Sequence, residues 1–500
     1  TALFFEGFAK PNPSPEAAAL LGPIKYLNGG LFLKHTLEEK YPAIRIVDAA
    51  FDHVLKLFGH YSWHLDDTPG TMSNEINPDV LGYIFEKYIN QKAFGAYYTR
   101  TEITSYLCER TIHAAILDKL HAQTTRHFET LGDALLHLDA DLCRRLLNDI
   151  LPKLSILDPA CGSGAFLVAA MKILLDVYGA IIGRITVLND ANLNLYLAEM
   201  RKHPSQAYFI RKRIITDNLY GVDIMQEATE IARLRLFLAL VASVSKVDDL
   251  EPLPNIDFNI MPGNSLIGLL SVDESRFERE NAKRALPTGD SKQQSFIAQE
   301  EQKDFLGILQ AERAKKYRQL LTEKNLKIAA YRGATSYDTD LHGLRDQIDT
   351  LKRDHYAALN GLLLEDFTAL GVKYEAAQAN GKTIKRPLIA SDIAALAPFH
   401  WGYEFDEIIG TRGGFDAILT NPPWEIFKPQ AKEFFAEYSD IVTKNKMDIK
   451  AFEVEQERLL IDPETQAAWL EYQSRFPILS AYFRSAPQYK NQIAVVNGKK

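Results

Sequence analysis

The segment Asp158-Pro159-Ala160-Cys161-Gly162-Ser163-Gly164-Ala165-Phe166 joins a short apolar run to an apolar helix, so its glycines can bring backbone N–H groups close to a ligand. Leu167 stands where a dinucleotide-binding loop needs its third glycine, and Asp158 would set a carboxylate against phosphates. An acid there suits a ligand with an amino group. S-adenosylmethionine meets that demand: it has an ammonium, a carboxylate for the backbone N–H groups, and no phosphate. Asp223, at the end of the next apolar run, can accept from both hydroxyls of a ribose, and Asn264, after Gly263, can hydrogen-bond an adenine ring. Each also has a plainer reading: a tight structural turn for the loop, a helix N-cap for Asp223, a turn residue for Asn264.

Asn421-Pro422-Pro423-Trp424 is the most informative tetrapeptide in the chain. Two prolines after a strand remove two backbone donors and stiffen the turn. Such rigidity serves a reaction in which an exocyclic amine, deactivated by conjugation to its ring, must attack an electrophile. The Asn421 side-chain oxygen and the Pro422 carbonyl are suited to accept from the hydrogens of that amine and free its lone pair. Trp424 offers a face for a base rotated out of a duplex. The plainer reading is a strand terminator beside a core tryptophan.

These residues need a scaffold. Apolar runs at residues 154–157, 219–222, 256–260 and 415–419 read as strands, with helices over 165 to about 178 and 226–244. Strands alternating with helices predict an α/β fold with a parallel sheet, whose ligands sit outside the carboxyl ends of the strands. Residues 1–150 read as a mainly helical domain and 151–270 as the first half of the sheet. Residues 271–395 read as a helical insertion that projects from it, 396–424 as the catalytic strand and turn, and 425–500 as a helical segment with helix through 476.

The net charge of −8 permits nucleic-acid binding without indicating it. The local basic cluster Arg201, Lys202, His203, Arg211, Lys212 and Arg213 reads as a solvated helix face. Three cysteines, Cys108, Cys143 and Cys161, lack metal-type spacing and point to a reducing cytoplasm. No metal site is read, and no membrane: the runs at 166–182 and 236–244 are broken by charge or too short to span a bilayer. The chain opens on Thr1, which predicts a piece of a longer polypeptide.

The ordered set of Gly95-Ala96-Tyr97-Tyr98-Thr99, residues 158–166, Asp223, Gly263-Asn264-Ser265-Leu266 and Asn421 to Trp424 resembles the γ-class N6-adenine DNA methyltransferases. In particular it is similar to the methylase portion of type IIG restriction–modification enzymes and related phage-defence enzymes, Tyr26-Leu27-Asn28-Gly29-Gly30-Leu31-Phe32 included. The resemblance covers most of residues 24–115, 151–270 and 396–430. It implies a Rossmann-like S-adenosylmethionine-dependent methyltransferase sheet, with the cofactor touched by Tyr98, Thr99, Asp158, Ala160, Gly162, Gly164, Phe166, Asp223, Ile224 and Asn264. Asn421, Pro422, Pro423 and Trp424 would hold the target base. The partners it implies are double-stranded DNA with a flipped adenine and other defence-system subunits, in bacterial restriction–modification or phage defence.

Two departures stand out. The family places further strands and a target-recognition domain after the catalytic tetrapeptide, whereas residues 425–500 read as helix, so the catalytic domain is expected to be incomplete within this chain. A nuclease pattern is also missing: Glu86-Lys87 after Pro78-Asp79 has the wrong spacing. Cytosine C5 methylation needs a nucleophilic cysteine after a strand-end proline, and none of the three stands there. Protein glutamine N5-methyltransferases share the Asn-Pro-Pro-aromatic turn, and a catalytically silent DNA-binding subunit would keep the fold without turnover.

Overall fold

A computed structural model describes residues 99–188, 190–203, 205–244, 250–285, 316–334, 341–422 and 448–492, with parts of 2–63, 75–84 and 428–442. Four short parallel strands carry the architecture: β1 (Ile156–Asp158), β2 (Leu219–Asp223), β3 (Ile260–Pro262) and, after a hairpin of β4 (Tyr374–Ala377) and β5 (Thr383–Arg386), β6 (Ala417–Ile418). Their spatial order is β3-β2-β1-β6. The chain thus builds outward on one side of β1 and then returns to its other side. The carboxyl ends of β1, β2 and β6 meet where that reversal occurs, the place where open parallel sheets hold ligands.

Successive sheet residues feed two different cores, as the two-residue period of a strand requires. Ile156, Leu219 and Ile260 join the core built by α1 (Thr101–His121), α2 (Ala165–Leu188) and α3 (Gln226–Val241). Leu157, Tyr220, Val222 and Met261 point the other way, against Ile328 and Tyr331 of α4 (Tyr317–Gly333), Leu341 and Ile348 of α5 (Leu341–Ala369), and Phe399, Trp401 and Phe405. The expected projecting insertion is therefore corrected: its helices form the second layer of the fold. Charged side chains on these helices are drawn into buried pairs.

Lys324, fully buried on α4, donates to the Tyr403 carbonyl and to Asp406 Oδ1 at 2.7 Å, while Asn325 reaches Asp406 Oδ2 at 2.9 Å. Removing one member of a buried pair leaves the other without compensation, so Lys324→Ala should cost about 3 kcal/mol of stability in urea denaturation. A loss under about 1 kcal/mol would mean that the pair is screened as a surface pair is.

Several boundaries differ from the sequence reading. Residues 256–259 form a turn ahead of β3, closed by Asn259 N on Ile256 O at 2.9 Å, because their polar side chains are committed elsewhere. Asn255 donates to Tyr331 O at 2.7 Å, and Asn259 to Thr216 O at 2.9 Å. The β4–β5 hairpin, turned through Asn380-Gly381, interrupts the helical reading of the insertion. The last helix, α6 (Pro463–Ser485), runs through Pro477, its final turns held by Tyr482 stacked on Phe367 at 4.0 Å.

α2 extends ten residues past the expected end, to Leu188, because burial of Ile181, Ile182 and Ile185 outweighs the cost of glycines at 179 and 183. At 24 residues it is long and apolar enough to cross a membrane, which corrects the expectation, but 61% of its most apolar window is buried within the protein. It packs between α1 and the sheet and serves as a core helix.

Candidate active site at the carboxyl edge of the sheet

β1 delivers Asp158 to the edge with 1% exposure, its Oδ1 accepting from Ala160 N at 3.1 Å. Burial pushes this carboxyl up to about 7, opposed by the Thr420 hydroxyl and the Ala160 N–H and reinforced by the nearby Asp223. The loop then folds against β2 through Cys161 N on Val222 O at 3.0 Å and Gly162 N on Asp223 Oδ2 at 2.8 Å. Gly164 has φ 83°, and a Cβ there would meet the Ala232 Cβ of α3 at 2.9 Å, so only glycine lets α2 start this close to α3. The N–H groups of Ala165, Phe166 and Leu167 in the first turn of α2 have no acceptor within the helix and open an anion-binding corner. Phe166 itself is buried, its carbonyl 3.6 Å from Cys108 Sγ of α1.

Asp223 is not the N-cap of α3, which is Met225. Its Oδ1 accepts from Met225 N at 2.9 Å and its Oδ2 from Gly162 N at 2.8 Å. The carboxylate thus ties the two strand-end loops together and retains lone pairs for a further donor on each oxygen. Burial raises its pKa, and the Met225 and Gly162 N–H groups oppose the rise. Ile224 is 56% exposed beside it. Asn264 follows β3, with Oδ1 accepting from Leu266 N at 3.1 Å as a turn residue does.

The Asn421 corner follows β6 and lies against the residue that leads into α1: Asn421 Nδ2 donates to Thr99 Oγ1 at 3.1 Å, across 322 positions of sequence. Asn421 is partly exposed and Pro422 exposed. Lys119 of α1 pairs with Asp416 Oδ1 at 2.6 Å, and Ser155 N donates to Asp416 Oδ2 at 2.8 Å, so α1, β1 and the start of β6 are fastened at one place. Tyr98, Pro423 and Trp424 lie outside the described residues.

Two contributors escaped the sequence reading. Arg235 of α3, 4% exposed, donates from Nη1 to Ser163 O at 2.9 Å and Ser163 Oγ at 3.0 Å, fixing the loop from below. Gly82 approaches so closely that a Cβ would meet that Nη1 at 2.5 Å and Ser163 Oγ at 3.0 Å, which sets Gly82 against the loop. Thr420 Oγ1 is buried beside Asp158 and lacks a partner in normal hydrogen-bond geometry among the described residues. Neither has a local signature, since an arginine in mid-helix and a threonine at a strand end are commonplace.

The basic cluster lies elsewhere. Arg211, Lys212 and Arg213 belong to a helix, Gln206–Arg213, that precedes the amino end of β2, opposite the loops described above. Lys212 and His203 grip Glu251 at 3.0 and 2.7 Å, and Arg213 covers the rings of Tyr196 and Phe209. This part of the cluster is structural rather than a solvated face. The cysteines are buried, and burial pushes Cys108 up to about 12, Cys143 to about 11 and Cys161 well above its ordinary value, which makes all three poor nucleophiles.

Residues 217–465 match the Eco57I restriction-modification methylase family, and residues 138–260 match the DNA-methyltransferase domain of MmeI. Together these ranges contain every strand of the four-stranded sheet and the positions Asp158, Asp223, Asn264 and Asn421. A putative type II restriction enzyme and methyltransferase from Methanocaldococcus jannaschii is 30% identical over 482 residues, which cover 86% of this chain and 37% of that protein. A type II restriction enzyme and methyltransferase from Escherichia coli is 32% identical over 118 residues, 22% of this chain and 11% of its own length. The chain thus spans 37% of the first of these relatives.

Proposed function

We propose, from a chain that is a type IIG-like restriction–modification methylase by sequence, that it methylates N6 of an adenine rotated out of double-stranded DNA, using S-adenosylmethionine. On this reading the sheet is the cofactor-binding part of a Rossmann-like methyltransferase. Its setting is the cytoplasm, in restriction–modification or phage defence, alongside other defence-system subunits. The observation that carries the reading is the parallel pairing of β6 with β1, which sets the Asn421 corner at the edge where the Asp158 loop stands, with Asn421 joined to Thr99 at 3.1 Å.

The residues present fit the cofactor. The first-turn N–H groups of α2 suit its carboxylate, Asp158 its ammonium, and the remaining lone pairs of Asp223 its ribose hydroxyls. Asn264, whose Oδ1 is held by Leu266 N, would offer its amide nitrogen to the adenine, with Phe166 and Ile224 as apolar walls. When bound, S-adenosylmethionine supplies an electrophilic methyl group on a sulfonium. The Asn421 oxygen and the Pro422 carbonyl would accept from the two hydrogens of the adenine amine, orient its lone pair, and stabilise the positive charge that grows on nitrogen. The chain's own part would be to hold the amine in place and to leave its released proton a path to solvent. By the resemblance, Thr99 would add to the walls, and so would Tyr98 and Trp424, which lie outside the described residues.

Incubation with radiolabelled cofactor and either duplex DNA or protein acceptors tests the reading. Label in DNA adenine is expected. Label on protein glutamine would favour the glutamine methyltransferase instead, and binding without turnover a silent DNA-binding subunit.

The pKa of Asp158 adds a pH signature. Raised from 3.8 to about 7 in the fold, this group holds a proton between about pH 4 and 7 that the unfolded chain lacks, so its contribution favours folding on the acid side and is lost as pH rises through 7. Cofactor affinity runs the other way, because an ammonium favours the carboxylate. Below pH 7 the dissociation constant should rise about tenfold per unit, and Asp158→Asn should flatten the profile. A wild-type profile that is flat from pH 5.5 to 8 by titration calorimetry would remove Asp158 from ammonium binding.

A further inference from the structure

Residues 397–402 run beside the loop that carries Asn264. Ala397 O accepts from Asn264 N at 2.7 Å, Phe399 N donates to Ile267 O at 2.7 Å, Trp401 Nε1 to Ser265 O at 3.0 Å, and Gly402 N to Leu269 O at 3.1 Å. Ala397 has φ 48°, alone among the described non-glycine residues in the left-handed region. Such strain persists only where the surroundings over-determine the backbone.

Ala397 follows a short helix, Ala390–Ala395, with its N–H on Ala394 O at 3.0 Å, and the segment after it is held by α5. His400, fully buried, donates from Nε2 to Asn360 Oδ1 at 3.0 Å and accepts at Nδ1 from Leu269 N at 3.3 Å. Burial pushes this imidazole down to about 4, so it is neutral at pH 7, as one donor and one acceptor require. Three further bonds fasten the same segment to α5: Tyr403 Oη to His355 Nδ1 at 2.7 Å, and Glu404 Oε1 to Tyr356 Oη and Lys352 Nζ, both at 2.8 Å. The insertion thus grips, through one buried polar seam, the segment zipped to the Asn264 loop.

We propose that Asn360, acting through His400, is a positioning residue for the adenine end of the cofactor pocket: it holds residues 264–269 in register against 397–402 and so aims Asn264. This rests on the methyltransferase reading above. It assigns the insertion a part in cofactor recognition, in addition to covering the sheet.

The test compares two ligands, S-adenosylmethionine and 5′-methylthioadenosine, which keeps the adenosine and lacks the amino-acid half. Asn360→Leu should raise both dissociation constants about tenfold. The KM for cofactor should rise with them, while kcat at saturation changes less than about twofold. Asn360→Asp, which keeps an acceptor oxygen for His400, should restore both affinities. Should Asn360→Leu fail to fold, Lys352→Met loosens the same segment and should raise both constants about threefold. A folded variant that binds both ligands as wild type does, or that loses kcat with KM unchanged, overturns the assignment. Wild-type protein that binds no S-adenosylmethionine overturns the methyltransferase reading itself, and this inference with it.

Discussion

Replacing Asn421 by alanine is expected to lower kcat for methyl transfer about 10³-fold while the dissociation constant for S-adenosylmethionine stays within about twofold. The asymmetry follows from where Asn421 stands. It follows β6, half-exposed, with its amide nitrogen committed to Thr99 Oγ1 at 3.1 Å. That bond anchors the carboxamide by its nitrogen and turns its oxygen away from Thr99. The polar groups proposed for the cofactor come from the ends of β1, β2 and β3 and from the first turn of α2, and are held by bonds of their own. What alanine removes is an acceptor whose interaction with the amine strengthens only as charge develops on nitrogen. A purely structural Asn421 predicts the opposite pattern, a lowered Tm with little change in rate. Thr99→Val separates orientation from chemistry: the oxygen remains but loses its guide, and kcat should fall about tenfold. Single-turnover kinetics with purified protein and a methylatable duplex provide the check, and wild-type kcat in the Asn421→Ala protein would remove this corner from the reaction.

Asp223→Ala should raise the dissociation constant for the cofactor about 100-fold. Two losses add. The proposed ribose hydroxyls lose a charged acceptor, and the loop loses the carboxylate that binds Gly162 N at 2.8 Å and Met225 N at 2.9 Å. Those N–H groups come from the loops after β1 and β2, so the pocket slackens at both walls. Asp223→Asn keeps one oxygen and should cost less, about tenfold, because a neutral carbonyl accepts more weakly than a carboxylate. With saturating cofactor the alanine protein should regain most of its kcat, since Asp223 has no contact with the amine. Calorimetric titration checks both values, and an unchanged affinity would assign Asp223 to loop architecture alone.

The parts legible in the sequence were those coded by neighbours along the chain. The β1 and β2 runs are apolar on both faces because both faces are covered, and each ends in an aspartate at the edge where a turn begins. The glycines after Asp158 announce a close approach, and the paired prolines after Asn421 a rigid turn. The joint between Thr99 and Asn421 was not legible, since nothing local to either residue points to the other. Arg235 was equally silent, one charged residue on a helix whose other side builds the core. The largest gap concerned the insertion. It was expected to project from the sheet, yet Lys324 and Lys352 on its helices pair with Asp406 and Glu404 of the following segment, and nothing local to any of the four announces that seam. The apolar run at 256–260 misled for a related reason: its hydrophobic residues are buried in a turn whose asparagines serve neighbouring elements.

The account joins a ligand loop and an amine-orienting corner into one reaction, and a crystal structure with S-adenosylmethionine bound tests that union most directly. The methionine carboxylate should rest on the first turn of α2, the ribose on Asp223, and the sulfonium methyl should face the Asn421–Pro422 corner, leaving the ~3 Å approach that an attacking nitrogen needs. Cofactor seated away from that edge, or with its methyl turned from Asn421, would contradict it.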